Sequence, residues 1–305
     1  MFELTLLPAS DGDCLLLSYG NNGTANHVLV DGGRTGTYAF LKPLLAKIGE
    51  RQQRIDLLVL SHIDADHIGG FLALANDSQL SVEISEIWFN GFDQLRLVKP
   101  MGPAQGDRFS KAIRDRGWTA NARFDGRPLA LSGQGGPHVI KLRGGLKLTL
   151  LSPDADRLNA LREQWDNWRT EEAARATEVM RRAAAPGLQM MGRRPFPRML
   201  DIDILADGSE TIDDEAPNGS SIALIAEWGD KRVMLGADAH PDLLSQSIRS
   251  LVGARGGRYA LDLYKVSHHG SGGNTTRELI GLLDCRRFAI STNGSLPPRN
   301  SAKST

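Results

Sequence analysis

Four side chains able to bind a metal ion crowd into six positions of this sequence: His62, Asp64, Asp66 and His67, within Ser61-His-Ile-Asp-Ala-Asp-His-Ile-Gly-Gly70. Imidazole and carboxylate together suit zinc, manganese or iron. Helix capping by Asp66 would explain one of the four and leave the other three unexplained. A second concentration follows far along the chain, in Ser267-His268-His269-Gly270-Ser271. If the apolar run over 261–267 is a strand, alternation turns the two rings to opposite sides. One of His268 and His269 is then a metal ligand and the other a substrate contact or general acid. Other chemistries find less support. No Gly-x-Ser-x-Gly elbow occurs, and the glycines of Ser132-Gly-Gln-Gly-Gly136 do not sit between a strand and a helix as a phosphate-binding loop must. Cys14 and Cys285 lie in apolar strand or helix ends and read as packing residues, not nucleophiles.

Such a site needs rigid elements around it. Ile55-Asp-Leu-Leu-Val-Leu60 is a nearly continuous apolar run, expected of a strand covered on both faces, and it delivers His62 at its exit. The turn after it splays the remaining ligands inward, ahead of an apolar helix over 71–75. Upstream, strands are predicted over 2–7, 13–18 and 27–30, with a hairpin turn at Gly20-Asn-Asn-Gly23. Helical spacing runs over 38–49 and stops on Gly49. The order strand, helix, strand implies a layered α/β protein. A charged helical pattern follows over 152–185, with Leu158, Leu161, Trp165, Trp168 and Val179 as its apolar positions, and the proline-bearing stretch 186–219 reads as a loop or insertion. Strands resume over 221–227 and 232–236, then a helix over 243–252, a strand over 261–267, a helix over 275–283 and a strand over 287–291. Asp56-Leu-Leu-Val-Leu-Ser-His62 and Asp262-Leu-Tyr-Lys-Val-Ser-His268 agree at Asp, Leu, Ser and His in one frame. A duplicated half with ligands at equivalent strand ends would produce this echo, and open α/β sheets bind ligands at those ends.

These motifs resemble the metallo-β-lactamase superfamily, whose hallmark is His-x-His-x-Asp-His after a strand. More narrowly they are similar to the branch containing the hydrolase domain of ComEC-type competence proteins. The resemblance rests on Gly12-Asp13-Cys14-Leu15-Leu16, on Val28-Leu-Val-Asp31-Gly-Gly33, and on His62-x-Asp64-x-Asp66-His67-x-Gly69-Gly70, where aspartate replaces the second histidine. It continues through Asn218-Gly-Ser220, Val233-Met-Leu-Gly236-Ala-Asp238, with one extra alanine, and Tyr264-Lys-Val-Ser-His268-His269-Gly270-Ser271. The resemblance implies a four-layer αββα sandwich binding one or two divalent ions, zinc first and manganese as the alternative. His62 and Asp64 would hold one ion, Asp66 and His67 the other, and Asp238 would bridge them, as a carboxylate can for ions ~3.5–4 Å apart. One or both of His268 and His269 would complete the set. Asp66, His268 and His269 would be catalytic, Asn218 and Ser271 would contact substrate, and Asp31 would orient the second loop. Asn218 stands where many members carry a histidine, which weakens the His62/Asp64 position.

The chain has 305 residues, 36 Lys+Arg and 36 Asp+Glu, which argues against bulk electrostatic coating of nucleic acid or membrane. Locally the balance breaks: residues 91–150 carry 11 bases against 4 acids, and residues 201–230 carry 9 acids and no base. Arg108, Lys111 and Arg114 recur at helical spacing with Arg116 close behind, and Asp115 would share that face. No apolar run nears the ~20 residues of a membrane span, and the opening Met1-Phe-Glu-Leu-Thr-Leu-Leu-Pro has no signal-peptide pattern, so a cytoplasmic protein without membrane contact is expected. One domain is expected over 1–294, with an insertion at about 153–217 and a polar tail over 295–305. The expected activity is hydrolysis of a phosphodiester, in nucleic acid or a nucleotide, by a metal-activated hydroxide. The alternatives are a hydrolase of small esters, thioesters or lactones, and a metal-stabilised interaction module without catalysis.

Overall fold

A computed structural model describes residues 1–21, 23–95, 104–132, 138–167, 170 and 213–293. Its architecture is an αββα sandwich. The first sheet has the order β1 (Phe2–Leu6), β2 (Leu15–Tyr19), β3 (Asn26–Val30), β4 (Ile55–Leu60), β5 (Ile87–Phe89), antiparallel up to β3 and parallel from there on. The second sheet is built from β6 (Val139–Lys141), β7 (Lys147–Ser152), β8 (Ala223–Trp228), β9 (Lys231–Leu235), β11 (Leu263–Lys265) and β13 (Phe288–Ala289), in the order β13-β11-β9-β8-β7-β6. Between β9 and β13 in sequence, β10 (Tyr259–Leu261) and β12 (Leu283–Cys285) form a separate parallel pair.

Period-two alternation separates the layers. Leu15, Leu17, Val28, Val30, Leu57 and Val59 point inward and meet Leu148, Leu150, Leu224, Val233 and Leu235 of the other sheet. The outward residues Leu16, Leu29, Leu58 and Leu60 lie under helices: Leu41, Leu45 and Ile48 of α1 (Tyr38–Glu50), Ile68, Phe71 and Leu74 of α2 (Ala65–Asn76) and, beyond the short α3 (Phe92–Leu95), Phe109 and Ile113 of α4 (Ala104–Asp115). Leu161 and Trp165, on a helix α5 over 155–167, join the same layer. After the single turn α6 (Ala216–Gly219), Leu244 and Ile248 of α7 (Pro241–Val252) and Leu279 of α8 (Arg277–Gly281) cover Ile225, Met234 and Tyr264 on the far face.

The helical pattern expected over 152–185 is met by α5; its continuation, with Trp168 and Val179, lies outside the described residues, as do 186–212 and the tail 295–305. The strand expected over 261–267 is instead two. Leu261 pairs with β12, whereas Leu263–Lys265 pair with β9. The break falls at Asp262, whose carboxylate accepts the Arg232 backbone N–H at 2.9 Å. Cys14 is buried as expected, but Cys285 is half-buried, its Sγ 3.2 Å from the Arg287 carbonyl.

Two devices bind the sheets at one edge. Gly12 lies so close to α2 that a Cβ there would stand 1.9 Å from the Asp66 carbonyl oxygen, which only glycine permits. The wholly buried Lys265 donates from Nζ to the Asp13 carboxylate and to the Val266 carbonyl, joining the second sheet to the strand entry of the first. Removing one partner of a buried ion pair strands the other charge. Lys265→Met is therefore expected to lower stability by roughly 3–5 kcal/mol, read as a lowered urea midpoint at unchanged slope, and Lys265→Met combined with Asp13→Leu to recover most of it. A single variant as stable as the parent would show that the pair contributes nothing.

Candidate metal centre

The ends of β3, β4, β9 and β11 and the start of β8 meet at one edge of the sandwich. The first ligand segment does not precede a helix, as the apolar run over 71–75 suggested; it opens one. α2 begins at Ala65, so Asp66 and His67 lie in its first turn, and Asp64, not Asp66, occupies the cap position. The Asp64 carboxylate makes no capping bond and instead lies 3.7 Å from His62 Nε2.

Asp238 is the meeting point. Its Oδ2 lies 3.4 Å from His67 Nε2, 3.6 Å from His269 Nε2, 3.8 Å from His62 Nε2 and 3.9 Å from His268 Nε2. The opposite nitrogen of every ring is engaged. His67 Nδ1 is 2.9 Å from Asp31, His62 Nδ1 is 3.0 Å from Ser61 Oγ and 3.3 Å from Ser221 Oγ, His269 Nδ1 donates to the Ser291 carbonyl at 3.1 Å, and His268 Nδ1 faces Asn274 Oδ1 at 2.8 Å. A partner on one ring nitrogen fixes the tautomer and aims the other nitrogen. Asp31 supports the loop as the sequence implied: one oxygen accepts the Ser61 N–H and the other its hydroxyl, both at 2.8 Å.

The Nε2 atoms of His62, His67 and His269 and the Oδ1 of Asp238 are buried without a hydrogen-bond partner. Buried polar atoms of that kind are costly unless something binds them, and this donor set fits a divalent cation. Among the described residues, three groups have ligand atoms within 4.8 Å of one another: His62, His67 and Asp238; Asp66, His67 and His269; and Asp13, Asp31 and His67. His67 is common to all three; Asp64 and His268 stand outside them.

The expectation that alternation sends His268 and His269 opposite ways is overturned. β11 ends at Lys265, and both histidines follow in a turn with left-handed backbone, φ of 44° and 53°, which brings both rings to Asp238. The extra Ala237 is left-handed as well, at φ 45°, and its carbonyl accepts the His268 N–H at 2.9 Å. Asn218 is buried and donates to Asp213 at 2.8 Å. Ser271 joins a tight turn, its N–H on the His268 carbonyl at 2.7 Å.

Sequence reasoning missed Asp213, Asn274, Ser61 and Ser221 as supports. Ser61 and Ser221 each adjoin a quoted motif; Asp213 is one acid in a run of acids and carries no local signal. Several described bases of the basic segment are engaged with neighbours of their own. Lys111 pairs with Asp115 on α4, and Arg116 turns back to donate to the carbonyls of Ala75 and Asp77 at 2.8 and 2.7 Å. Lys147 pairs with Glu227 at the end of the sandwich away from Asp238.

The cluster is strongly polarised. Burial opposes ionisation of Asp238, yet the facing His67 outweighs it and holds the carboxyl well below the usual range. Burial would lower the His67 pKa, but Asp238 and Asp31 on either side hold it well above an ordinary imidazole. For Asp66, burial is again overcome by the facing His269 and His67, which keep it at about 2. Asp66 and Asp238 are thus held as carboxylates by the imidazoles that face them.

Residues 9–126 match the model of the Metallo-beta-lactamase superfamily. The matched stretch spans less than half of the chain, and over it the sequence is similar to that superfamily. No curated protein matches the chain. Similar solved structures include a Cronobacter sakazakii metallo-beta-lactamase HARLDQ-motif protein, 13% identical over 85% of this chain and 71% of that one, with a TM-score of 0.34. A S60 mutant of the C. sakazakii HARLDQ-motif protein is 10% identical over 88% and 82%, with a TM-score of 0.35. A metallo-beta-lactamase from Pontibacter korlensis is 14% identical over 49% and 60%, with a TM-score of 0.20. The four-layer fold therefore rests on the strand order and burial described above and on the matched superfamily model. Among the described residues, no helix is long and apolar enough to cross a membrane.

Because the donor atoms come from both sheets, a cation held there ties the two halves together. Exhaustive chelation is expected to lower the melting temperature, and zinc or manganese to restore it, since a ligand of the native state alone stabilises that state. Superimposable melting curves before chelation, after it and after reconstitution would remove the metal assignment.

Proposed function

We propose that this protein is a metal-dependent hydrolase and that it acts on a phosphodiester. The observation carrying the metallohydrolase reading is the trio of orphaned imidazole nitrogens facing one ionised, buried carboxylate. His62, His67, Asp66, His269 and Asp238 would hold the ions, with Asp64 beside His62. Zinc suits the nitrogen-rich donors and manganese the carboxylates. When bound, such ions acidify a water molecule and offset charge on the attacked centre.

The chain's own groups do the rest. Asp31, Ser61, Ser221 and the Ser291 carbonyl hold the rings in place, and the burial of His62 and His67 keeps bulk water from competing for their nitrogens. His268, a third exposed at the side chain, is the most exposed of the four imidazoles and the one best placed to meet substrate. The phosphodiester assignment rests on the resemblance to the competence-associated branch and on cations close to the cluster. Gly106 packs first on Trp165 and then on Ile63, between His62 and Asp64, which sets the entry of α4 near the metal-binding loop, and exposed Arg108 follows two residues on. Arg34, paired with Asp11, lies near enough to Asp66 to feel its charge.

A second reading, hydrolysis of a small ester, thioester or lactone, is favoured by Ile290. This side chain is 52% exposed yet packs toward Gly270, offering an apolar wall beside His269.

The two are separated by assaying a chromogenic phosphodiester and a matched carboxylic ester, thioester and lactone on metal-loaded protein. Diester turnover is expected to dominate, and Asp66→Ala to lose about two orders of magnitude or more in kcat while still folding. Turnover of the esters alone would transfer the assignment to the second reading. For a nucleic-acid substrate, Arg108→Gln is expected to raise KM by a few-fold and flatten its salt dependence, because one counterion-releasing contact is lost.

A further inference from the structure

We infer that Asp213 is the positioning residue that sets the donor and acceptor sense of the wall formed by Asn218, Asn274 and His268 beside Asp238. Its functional meaning rests on the hydrolase reading above; its geometry does not. One carboxylate oxygen, Oδ2, accepts from Asn218 Nδ2 at 2.8 Å and from Asn274 Nδ2 at 2.7 Å, and faces His268 Nδ1 at 3.2 Å. The other, Oδ1, accepts the Glu215 N–H at 3.0 Å, which fixes the carboxylate plane. In the run Asp213-Asp214-Glu215, Asp213 alone turns its side chain inward, with 9% of it exposed, while its neighbours are exposed.

An ionised carboxylate can only accept hydrogen bonds. Both amides must therefore turn their NH2 groups toward Asp213, and their oxygens are directed elsewhere by the same act. The Asn274 oxygen meets His268 Nδ1 at 2.8 Å, and its NH2 also reaches the Asp238 carbonyl at 3.1 Å. The Asn218 oxygen is left buried without a partner. Caught between two acceptors, Asp213 Oδ2 and Asn274 Oδ1, His268 Nδ1 must carry hydrogen. Its Nε2, 3.9 Å from Asp238, is then the nitrogen turned to the reaction centre. A single acid thus decides the tautomer of one histidine and the orientation of two amides. An orientation error at any of them would present the wrong atom to a substrate or ion.

The test uses the full chain and two variants. Asp213→Asn keeps the shape but supplies an NH2 group in place of an oxygen, and Asp213→Ala removes the group. Two-bond 15N–1H correlation spectra of the metal-free proteins, followed to a pH at which the His268 ring is neutral, read its tautomer directly, without any activity. The parent is expected to show Nδ1–H, and both variants a shift toward Nε2–H or an exchange-averaged signal, with melting temperatures confirming that they fold. In the metal-loaded proteins kcat on the diester is expected to fall about 10- to 100-fold at nearly constant KM. Retention of the parental Nδ1–H signal in both variants overturns the inference, whatever the kinetics. If the parent hydrolyses no ester at all, the hydrolase reading fails while the spectra still decide the role of Asp213.

Discussion

One buried oxygen, Asp238 Oδ2, surrounded by four imidazole nitrogens at 3.4 to 3.9 Å, is the constraint around which this edge of the molecule is arranged. Bringing four rings to a single carboxylate requires each to be aimed from behind, and four different kinds of acceptor or hydroxyl do so. It also requires backbone that ordinary strands do not supply. Asp31, Ala237, His268 and His269 all adopt left-handed backbone with φ between 44° and 57°. Such conformations cost a non-glycine residue on the order of 1–2 kcal/mol each and persist only where surrounding contacts over-determine them. Here those contacts are visible, in the Asp31 bonds to Ser61 and the His268 N–H on the Ala237 carbonyl.

The supports reach both sheets, which explains why the same edge also holds the buried Asp13–Lys265 pair. Asp13 Oδ1 is itself unpartnered and lies 3.8 Å from His269 Nδ1, so the pair adjoins the cluster directly. Isolated, a buried lysine and aspartate would be a weak argument for stability, since their desolvation roughly cancels their attraction. Placed beneath a concentration of carboxylates and imidazoles, the lysine contributes a fixed positive charge that the local arrangement of acids can be built around. The close glycines serve the same end: a Cβ at Gly70 would stand 1.9 Å from the Gly32 carbonyl oxygen, so the ligand helix and the Asp31 loop could not meet with a larger residue there.

Much of this was legible in the sequence wherever local pattern and tertiary role coincide. The apolar run before His62 is a strand, and the echo between 56–62 and 262–268 has a physical counterpart. The carboxylate of Asp56 accepts the His27 N–H of the neighbouring strand, as that of Asp262 accepts the Arg232 N–H. Alternation failed at His268 and His269 because it presumes extended backbone, and nothing in His-His-Gly-Ser announces two successive left-handed residues. Asp213 was illegible for a different reason: an acid among acids has no periodicity to stand out from, and its partners are supplied from distant segments. Arg116 read as a surface charge because its partners, the last carbonyls of α2, are backbone atoms that no side-chain pattern records.

The distribution of charge gives the centre a direction. Among the described residues of 91–150, Lys111 and Lys147 are paired with acids, Arg123 is held by Glu86, and Arg116 caps a helix. Beyond a Debye length of ~10 Å such neutralised or remote charges contribute little to capture. On one flank of the cluster Asp64, Asp213, Asp214 and Glu215 gather closely enough to act on one another through space. Mutual repulsion and burial raise the Glu215 carboxyl above its ordinary range, with burial the larger cause. The acids therefore collect on the Asp213 flank of the Asp238 cluster, where His268 faces the Asp213 carboxylate. The zero net charge of the chain conceals this gradient, since a sum over 305 residues carries no information about which edge each charge occupies.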